Sequence, residues 1–259
     1  FFRQHSINIS LYIIYKRKMS NLSVIILAGG LGKRMQSEIP KVLHCLHEKP
    51  MLVHVLESAL QLAPKMIYIV VGKYEPIIRE TLSQYLDIDG LCFVNQPEAL
   101  GTGHAIQCAR PYLLGQPTND QVVILSGDVP LLQSSTIKSM MEENAPVTLM
   151  TSTVEMPKGY GRIVCDEDGN FEKIVEEKDC SDAQREIQVI NAGIYAFHIG
   201  LLCDYLPMIT NENAQEEYYL TDIFEIIRQK ECMKMAMYHL PKEQNLEITG
   251  INTKEQLEA

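Results

Sequence analysis

The chain has no C-x-x-C pair, and its seven cysteines (Cys45, Cys92, Cys108, Cys165, Cys180, Cys203 and Cys232) are odd in number and scattered. That spacing excludes a zinc ribbon, a dithiol redox motif and a small disulfide scaffold. It fits reduced thiols of the cytoplasm, most of them expected to fill the core as small apolar residues. Positive charge is also scarce. Twenty-three Lys and Arg face 33 Asp and Glu, a formal charge of −10 with a pI near 5.2. Nucleic acid and anionic membrane surfaces are therefore poor partners, because both attract a positive field. No apolar run is long enough to span a bilayer. The patch Ile9 to Tyr15 is too short, and Lys16, Arg17 and Lys18 follow it, whereas a signal peptide carries its charge first. Residues 1–18, which begin without Met, are expected to lie outside the fold, with Met19 as a candidate start. Internal repeats, low-complexity tracts and a hexapeptide period are absent, so nothing indicates a β-helix.

What is present describes a globular enzyme-sized chain. At 259 residues, 46% hydrophobic and 22% charged, it can bury one sizeable core. Apolar β-branched runs recur at Val24 to Leu27, Met66 to Val71, Leu91 to Val94, Val122 to Leu125 and Val147 to Met150. Between them, helical spacing is readable in Val53, Val55, Leu56 and Leu60, in Ile77, Ile78 and Leu82, and in Ala105, Ile106 and Ala109. Continuous apolar strands alternating with helices predict a parallel sheet covered on both faces, a doubly wound α/β plan. After Thr153 the pattern changes: Arg162 to Cys165 and Phe171 to Val175 flank the turn cluster Asp166 to Asn170 and predict an inserted β-hairpin. A strand at Ile190 to Phe197, helices at Leu201 to Leu206 and Ile223 to Ile227, segments Met233 to Leu240 and Leu246 to Ile251, and a helix from Thr253 complete the reading.

The glycine-rich run Ala28-Gly29-Gly30-Leu31-Gly32-Lys33-Arg34-Met35 directly follows the first apolar strand. Strand carboxyl ends in such sheets face the ligand crevice, and glycines let backbone N–H groups approach phosphate oxygens. The run lacks the spacing of a P-loop and of a dinucleotide fingerprint, which disfavours those two mechanisms. A bare strand-to-helix turn is the structural alternative. Lys33, Arg34 and Lys41 crowd this stretch, and Glu38 is the sole acid between Phe1 and Lys41. The local charge is thus suited to an anionic substrate. Asp128, in Ser126-Gly127-Asp128-Val129-Pro130, sits after another apolar strand, where a carboxylate can hold Mg²⁺ shared with phosphates.

From Leu27 to His44 the chain resembles the nucleotidyltransferase domain of the N-acetylglucosamine-1-phosphate uridyltransferases, whose pattern L-A-A/G-G-x-G-x-R-M followed by P-K-x-L it carries. Further motifs match in order: Gln96 with Leu100 to Ala105, Leu125 to Pro130, Gly159 to Ile163, Ile174 to Asp179, Ile190 to Ile194, Asn213 to Asp222 and Gly250 to Thr253. The resemblance covers Ser23 to Ala259 and implies a Rossmann-like, doubly wound mixed sheet, the nucleotide-diphospho-sugar transferase fold, with the hairpin forming a sugar-binding region. Residues 19–153 would be the nucleotide-binding half and 154–259 the sugar-binding half.

By the same resemblance, Leu27, Ala28, Gly29, Gly30, Gln96, Gly101, Thr102, Ser126 and Gly127 bind nucleotide, Gln96, Gly101 and Thr102 being the base readers. The family often has Tyr where Ser126 stands. Arg34 serves the triphosphate and Lys41 neutralises the reacting phosphates, with Asp128 completing the catalytic set. Gly161, Glu176, Asn191 and Asn252 belong to the sugar side, and Asp128 with Asn252 holds Mg²⁺. His104 is expected to orient or pack, and Tyr218 and Tyr219 to pack. The reaction implied is N-acetylglucosamine 1-phosphate plus UTP giving UDP-N-acetylglucosamine and pyrophosphate, in the cytoplasm. A sugar phosphate is already an anionic nucleophile, so orientation and electrostatics suffice and no catalytic His or Ser is needed. Alternatives are a uridylyl- or thymidylyltransferase for another sugar, such as glucose 1-phosphate, and a non-catalytic sugar-nucleotide-binding regulatory subunit. Many family members continue into a β-helical acetyltransferase domain, whose repeat is absent up to Ala259. Oligomeric state stays open.

Overall fold

The computed structural model describes residues 20–30, 37, 39–231 and 235–251. Arg34, Asn252, residues 1–18 and the helix expected from Thr253 lie outside the described residues.

Strand β1 (Leu22–Leu27) leads, past the glycine-rich run, to a 3-10 turn at Lys41–Leu43, the short strands β2 (Cys45–Leu46) and β3 (Lys49–Pro50), and helix α1 (Met51–Leu60). Strand and helix then alternate: β4 (Met66–Val71), α2 (Glu75–Ser83), β5 (Leu91–Asn95), α3 (Thr102–Leu113), β6 (Gln121–Ser126), α4 (Ser134–Met141) and β7 (Val147–Thr153). The hairpin β8 (Arg162–Cys165) and β9 (Phe171–Val175) follows, then α5 (Asp182–Arg185), β10 (Val189–His198), α6 (Ile199–Tyr205), α7 (Asp222–Glu231) and β11 (Ala236–Leu240).

Both faces of the central strands are covered, which is why their sequences read as unbroken apolar runs. Alternation divides β1 between two cores: Val24 and Ile26 pack with Leu52, Leu56, Ile78, Leu82 and Ile137 of α1, α2 and α4. Ile25 joins Ile106, Ala109, Leu202, Ile223 and Phe224 of α3, α6 and α7. Val24, Ile25 and Ile26 are all fully buried, and each such side chain stabilises the fold by roughly 1.5–3 kcal/mol over its exposed state.

The strand order is β11-β7-β10-β6-β1-β4-β5, with the β8–β9 hairpin attached through β10. Strands β6, β1, β4 and β5 are parallel to their neighbours in that series. Strand β7, which holds Val147 to Met150, runs in the same direction as those four, and β10 is inserted antiparallel between β6 and β7, which makes the sheet mixed. Its residues Tyr195, Ala196 and Phe197 pair with both, so β7 reaches the sheet through a strand from the later part of the chain. This is the mixed sheet that the resemblance implies. The hairpin forms as expected, its turn tied by Asp166, whose carboxylate accepts the Asp168 and Asn170 N–H groups at 3.1 and 2.8 Å. Arg162 pairs with Ile190, making the hairpin an extension of the main sheet.

The cysteine expectation is corrected. Of the six described, Cys180 and Cys203 are buried, Cys92 and Cys108 half-buried, and Cys45 and Cys165 exposed. Cys45 lies on the open face of the short strand β2, and Cys165 ends β8 at the irregular mouth of the hairpin. Among the described residues no helix is long and apolar enough to cross a membrane.

Candidate active site

The parallel strands β6, β1, β4 and β5 end along one edge. From β1 the chain steps to β4 and β5 on one side, then returns to β6 on the other. The order reverses at β1, and the crevice beyond that point is where open α/β sheets bind ligands. Leu27, level with both Val70 and Ser126, marks the floor. The Gly127 N–H donates to the Leu27 carbonyl at 2.9 Å and the Ala28 N–H to the Val70 carbonyl at 2.8 Å. A β-carbon on Gly127 would lie 3.0 Å from that Leu27 oxygen and 3.1 Å from Val42 Cγ1, so the turn into Asp128 lies close against β1.

Lys41 opens the 3-10 turn, anchored by buried Val42 and Leu43. Its Nζ is hydrogen-bonded and ion-paired to Asp128 Oδ2, both side chains being half-buried. The Ile251 N–H donates to the Asp128 carbonyl at 3.0 Å. The residue before Asn252 is thereby fixed beside Asp128. Tyr160 is close enough for the Asp128 charge, after burial, to push its hydroxyl up from the usual tyrosine value.

Gln96 follows β5 and is 7% exposed, its N–H donating to the Val71 carbonyl at 2.7 Å. Its Nε2 lies 3.1 Å from the Gly101 carbonyl and 3.2 Å from His104 Nδ1. A β-carbon on Gly29 would stand 3.0 Å from Gln96 Oε1 and 3.5 Å from the Gly72 nitrogen. Gly29, Gly72 and Gln96 therefore converge. Gly101, at φ 108°, is the residue before α3 and takes its N-cap position. The Thr102 hydroxyl accepts the Leu220 N–H at 3.0 Å.

The expected sugar residues also come together. A β-carbon on Gly161 would meet Ile174 Cγ2 at 3.1 Å and both Asn191 Cβ and Glu176 Oε2 at 3.5 Å. The Asn191 N–H donates to the Gly161 carbonyl at 2.9 Å. Asn191 Nδ2 donates to Tyr195 Oη at 2.7 Å, and its Oδ1 accepts the Gly193 N–H at 3.1 Å across an irregularity in β10. Burial raises the Glu176 carboxyl above the usual range, opposed by the Thr221 hydroxyl that donates to it at 2.9 Å and reinforced by the Asp179 charge.

One segment ties the two groups. The Tyr218 N–H donates to the Leu100 carbonyl at 2.8 Å, and the Gly103 N–H to the Tyr218 carbonyl at 2.7 Å. Leu220 bonds Thr102 and Thr221 bonds Glu176. The long motif Asn213 to Asp222 is thus a brace between the Gln96–Gly101 loop and the Gly161–Glu176–Asn191 group. Tyr219 is 6% exposed, in line with a packing role.

Sequence reasoning gave no role to Gly72, Tyr160 or Thr221. Gly72 follows the apolar run Met66 to Val71, the same signal that marks Gly29. Tyr160 and Thr221 lie inside recognised motifs, but their neighbours come from distant parts of the chain. The buried Arg162 is a fourth: 1% exposed, it donates to the Tyr160 and Arg185 carbonyls and pairs with Glu177 at 2.9 Å.

The family model for nucleotidyl transferases matches residues 23–243. The chain belongs to this family. Similarity to the nucleotidyl transferase relatives is high. A protein of Acanthamoeba polyphaga mimivirus named "Probable UDP-N-acetylglucosamine pyrophosphorylase" is 40% identical over 243 residues, 92% of this chain and 94% of that protein. The bifunctional protein GlmU of Prochlorococcus marinus is 41% identical over 240 residues, 91% of this chain and 51% of the relative. GlmU of Pseudomonas aeruginosa is 47% identical over 205 residues, 78% and 43% respectively. The chain spans about half or less of these bifunctional relatives and nearly all of the viral one. Membership of the nucleotidyl transferase family implies a nucleotide and a sugar phosphate as substrates.

Proposed function

We propose that this nucleotidyl transferase joins UTP to N-acetylglucosamine 1-phosphate, giving UDP-N-acetylglucosamine and pyrophosphate. The names of its relatives support that reading. The observation that carries it is the brace from Tyr218 to Thr221, which ties the Gln96–Gly101 loop to Glu176 and its neighbours Gly161 and Asn191, together with the Lys41–Asp128 pair beyond the end of β6. One crevice then offers a base reader, a charged centre and a polyol site.

The sugar phosphate oxygen attacks the α-phosphorus of UTP, the bond from that phosphorus to its bridging oxygen breaks, and pyrophosphate leaves. Residues up to Thr153 take the triphosphate and base, and later ones the sugar. The Ala28 and Gly127 N–H groups are committed to the sheet, so Gly29 and Gly30 carry the phosphate donors, while Ala28, Leu27, Ser126 and Gly127 shape the floor. Lys41 supplies positive charge at the reacting phosphates, and Arg34 does so for the triphosphate. Glu176 accepts from sugar hydroxyls, and Asn191, with one amide hydrogen beyond that given to Tyr195, donates.

Mg²⁺ fits the donor set. Among the described residues no group of three His, Cys, Asp or Glu surrounds a metal position, and magnesium takes one or two protein oxygens and fills its shell from phosphates and water. Asp128, with Asn252, would hold it, and it would neutralise charge on phosphate oxygens. The exposed thiols of Cys45 and Cys165 support a reducing, cytoplasmic setting.

Pyrophosphate release across a panel of sugar 1-phosphates with UTP and dTTP tests the reading. N-acetylglucosamine 1-phosphate with UTP should have the highest kcat/KM. Equal or faster turnover of glucose 1-phosphate would sink the sugar assignment.

A further inference from the structure

Gln96 has two amide hydrogens, and both are spoken for. One meets the Gly101 carbonyl at 3.1 Å and the other His104 Nδ1 at 3.2 Å. A carbonyl oxygen can only accept, so turning the amide over would set Gln96 Oε1 against the Gly101 oxygen, two acceptors with no hydrogen between them. The same geometry fixes the tautomer of His104. Because Nδ1 accepts, the ring proton sits on Nε2, which faces Cys108 Sγ at 3.9 Å one turn along α3. Burial pushes the Cys108 thiol up, so it stays neutral and can take that weak hydrogen bond. The Tyr218 ring flanks the imidazole at 6.3 Å.

With both hydrogens consumed, Oε1 is what the amide has left to offer. It faces the glycine loop, 3.0 Å from where a Gly29 β-carbon would stand. An acceptor there matches a base that presents a ring N–H, as uracil and thymine do at N3. Cytosine presents a lone pair at N3 and would be repelled. The geometry points to His104 as the positioning residue for base choice: it holds the Gln96 carboxamide acceptor-outward and so selects uracil over cytosine from one layer behind the base. This rests on the uridyltransferase reading.

The test compares kcat/KM for UTP and for CTP, each with N-acetylglucosamine 1-phosphate, in the wild-type chain, His104→Phe and His104→Asn, with unfolding midpoints measured for all three. His104→Phe removes the acceptor and frees the amide to turn. The UTP-to-CTP ratio should fall at least ~10-fold, chiefly through a higher KM for UTP. His104→Asn places Oδ1 where Nδ1 stood and should keep the ratio within about threefold of wild type. If His104→Phe does not fold, His104→Gln, whose acceptor reaches the Nε2 position instead, should show the same loss. An unchanged ratio in a folded variant lacking the acceptor overturns the inference, as does a wild-type chain with no preference for UTP over CTP. A wild-type chain that turns over no UTP overturns the parent reading, and this inference with it.

Discussion

The carbonyl oxygen of Tyr218 lies 2.5 Å from where a β-carbon on Gly101 would stand, while Gly101 holds φ at 108°. Backbone therefore meets backbone where the Gln96–Gly101 loop joins the Tyr218–Thr221 brace. Gly101→Ala should cost roughly 1–3 kcal/mol of stability from strain alone. Displacing Tyr218 also loosens Gly103, so the KM for UTP should rise more than kcat falls. Denaturant unfolding and initial rates over a UTP series check both parts.

Asp128 and Lys41 form a charged pair whose side chains are 26% and 12% exposed. Removing either should destabilise the fold by roughly 1–3 kcal/mol, between the cost for a surface ion pair and that for a buried one. Turnover should fall at least ~100-fold in Asp128→Ala and in Lys41→Met, because transition-state charge loses its partner. Pyrophosphate release with parallel thermal unfolding separates the two effects. Unaltered turnover in Asp128→Ala would remove this residue from the chemistry.

Arg162 is among the largest fully buried side chains of the described residues and bonds two carbonyls and Glu177. Arg162→Met should destabilise by roughly 2–4 kcal/mol, since the Tyr160 and Arg185 carbonyls lose a donor while the partly exposed Glu177 keeps only the Gly159 N–H. Arg162→Lys should recover little of that, because an ammonium cannot reproduce the planar fork. Chemical denaturation of the two variants beside wild type measures it.

Asp222 is pushed from its ordinary 3.8 up to about 6 by burial, then by the charges of Glu176, Glu225 and Asp179. Between those values the native state holds more protons than the unfolded chain, so stability falls as pH rises across the interval and is flat above it. A shift of that size bounds the effect at about 3 kcal/mol, and solvent exposure reduces it to roughly 1–2. Asp222→Asn should flatten that part of a stability profile measured by denaturation from pH 4 to 7. A profile as steep as wild type would contradict the cause assigned.

Much of this was readable in the sequence, for identifiable reasons. Met66 to Val71 reads as a strand because both of its faces are buried, which leaves no polar residue to confuse the pattern. Glu176 and Asn191 were found through motifs, and Gly161 proves to have a β-carbon position hemmed in by both. What was not readable is pairing across distance. The insertion of β10 between β6 and β7 depends on which strand edges meet, and periodicity carries no information on that. Cys45 and Cys165 look like core residues by type and are exposed because one sits on the open face of the short strand β2 and the other at the hairpin end of β8. The Thr221–Glu176 bond joins residues 45 positions apart. Arg34 and Asn252, both named from the sequence, lie outside the described residues.

The most direct test of the central claim follows the α-phosphorus. The chain is incubated with Mg²⁺, N-acetylglucosamine 1-phosphate and UTP labelled at that phosphorus, and the products are separated. Nucleotidyl transfer predicts that the label appears in UDP-N-acetylglucosamine and that the released pyrophosphate is unlabelled. Label that stays in UTP, or that emerges in UMP or UDP without sugar attached, would contradict the account.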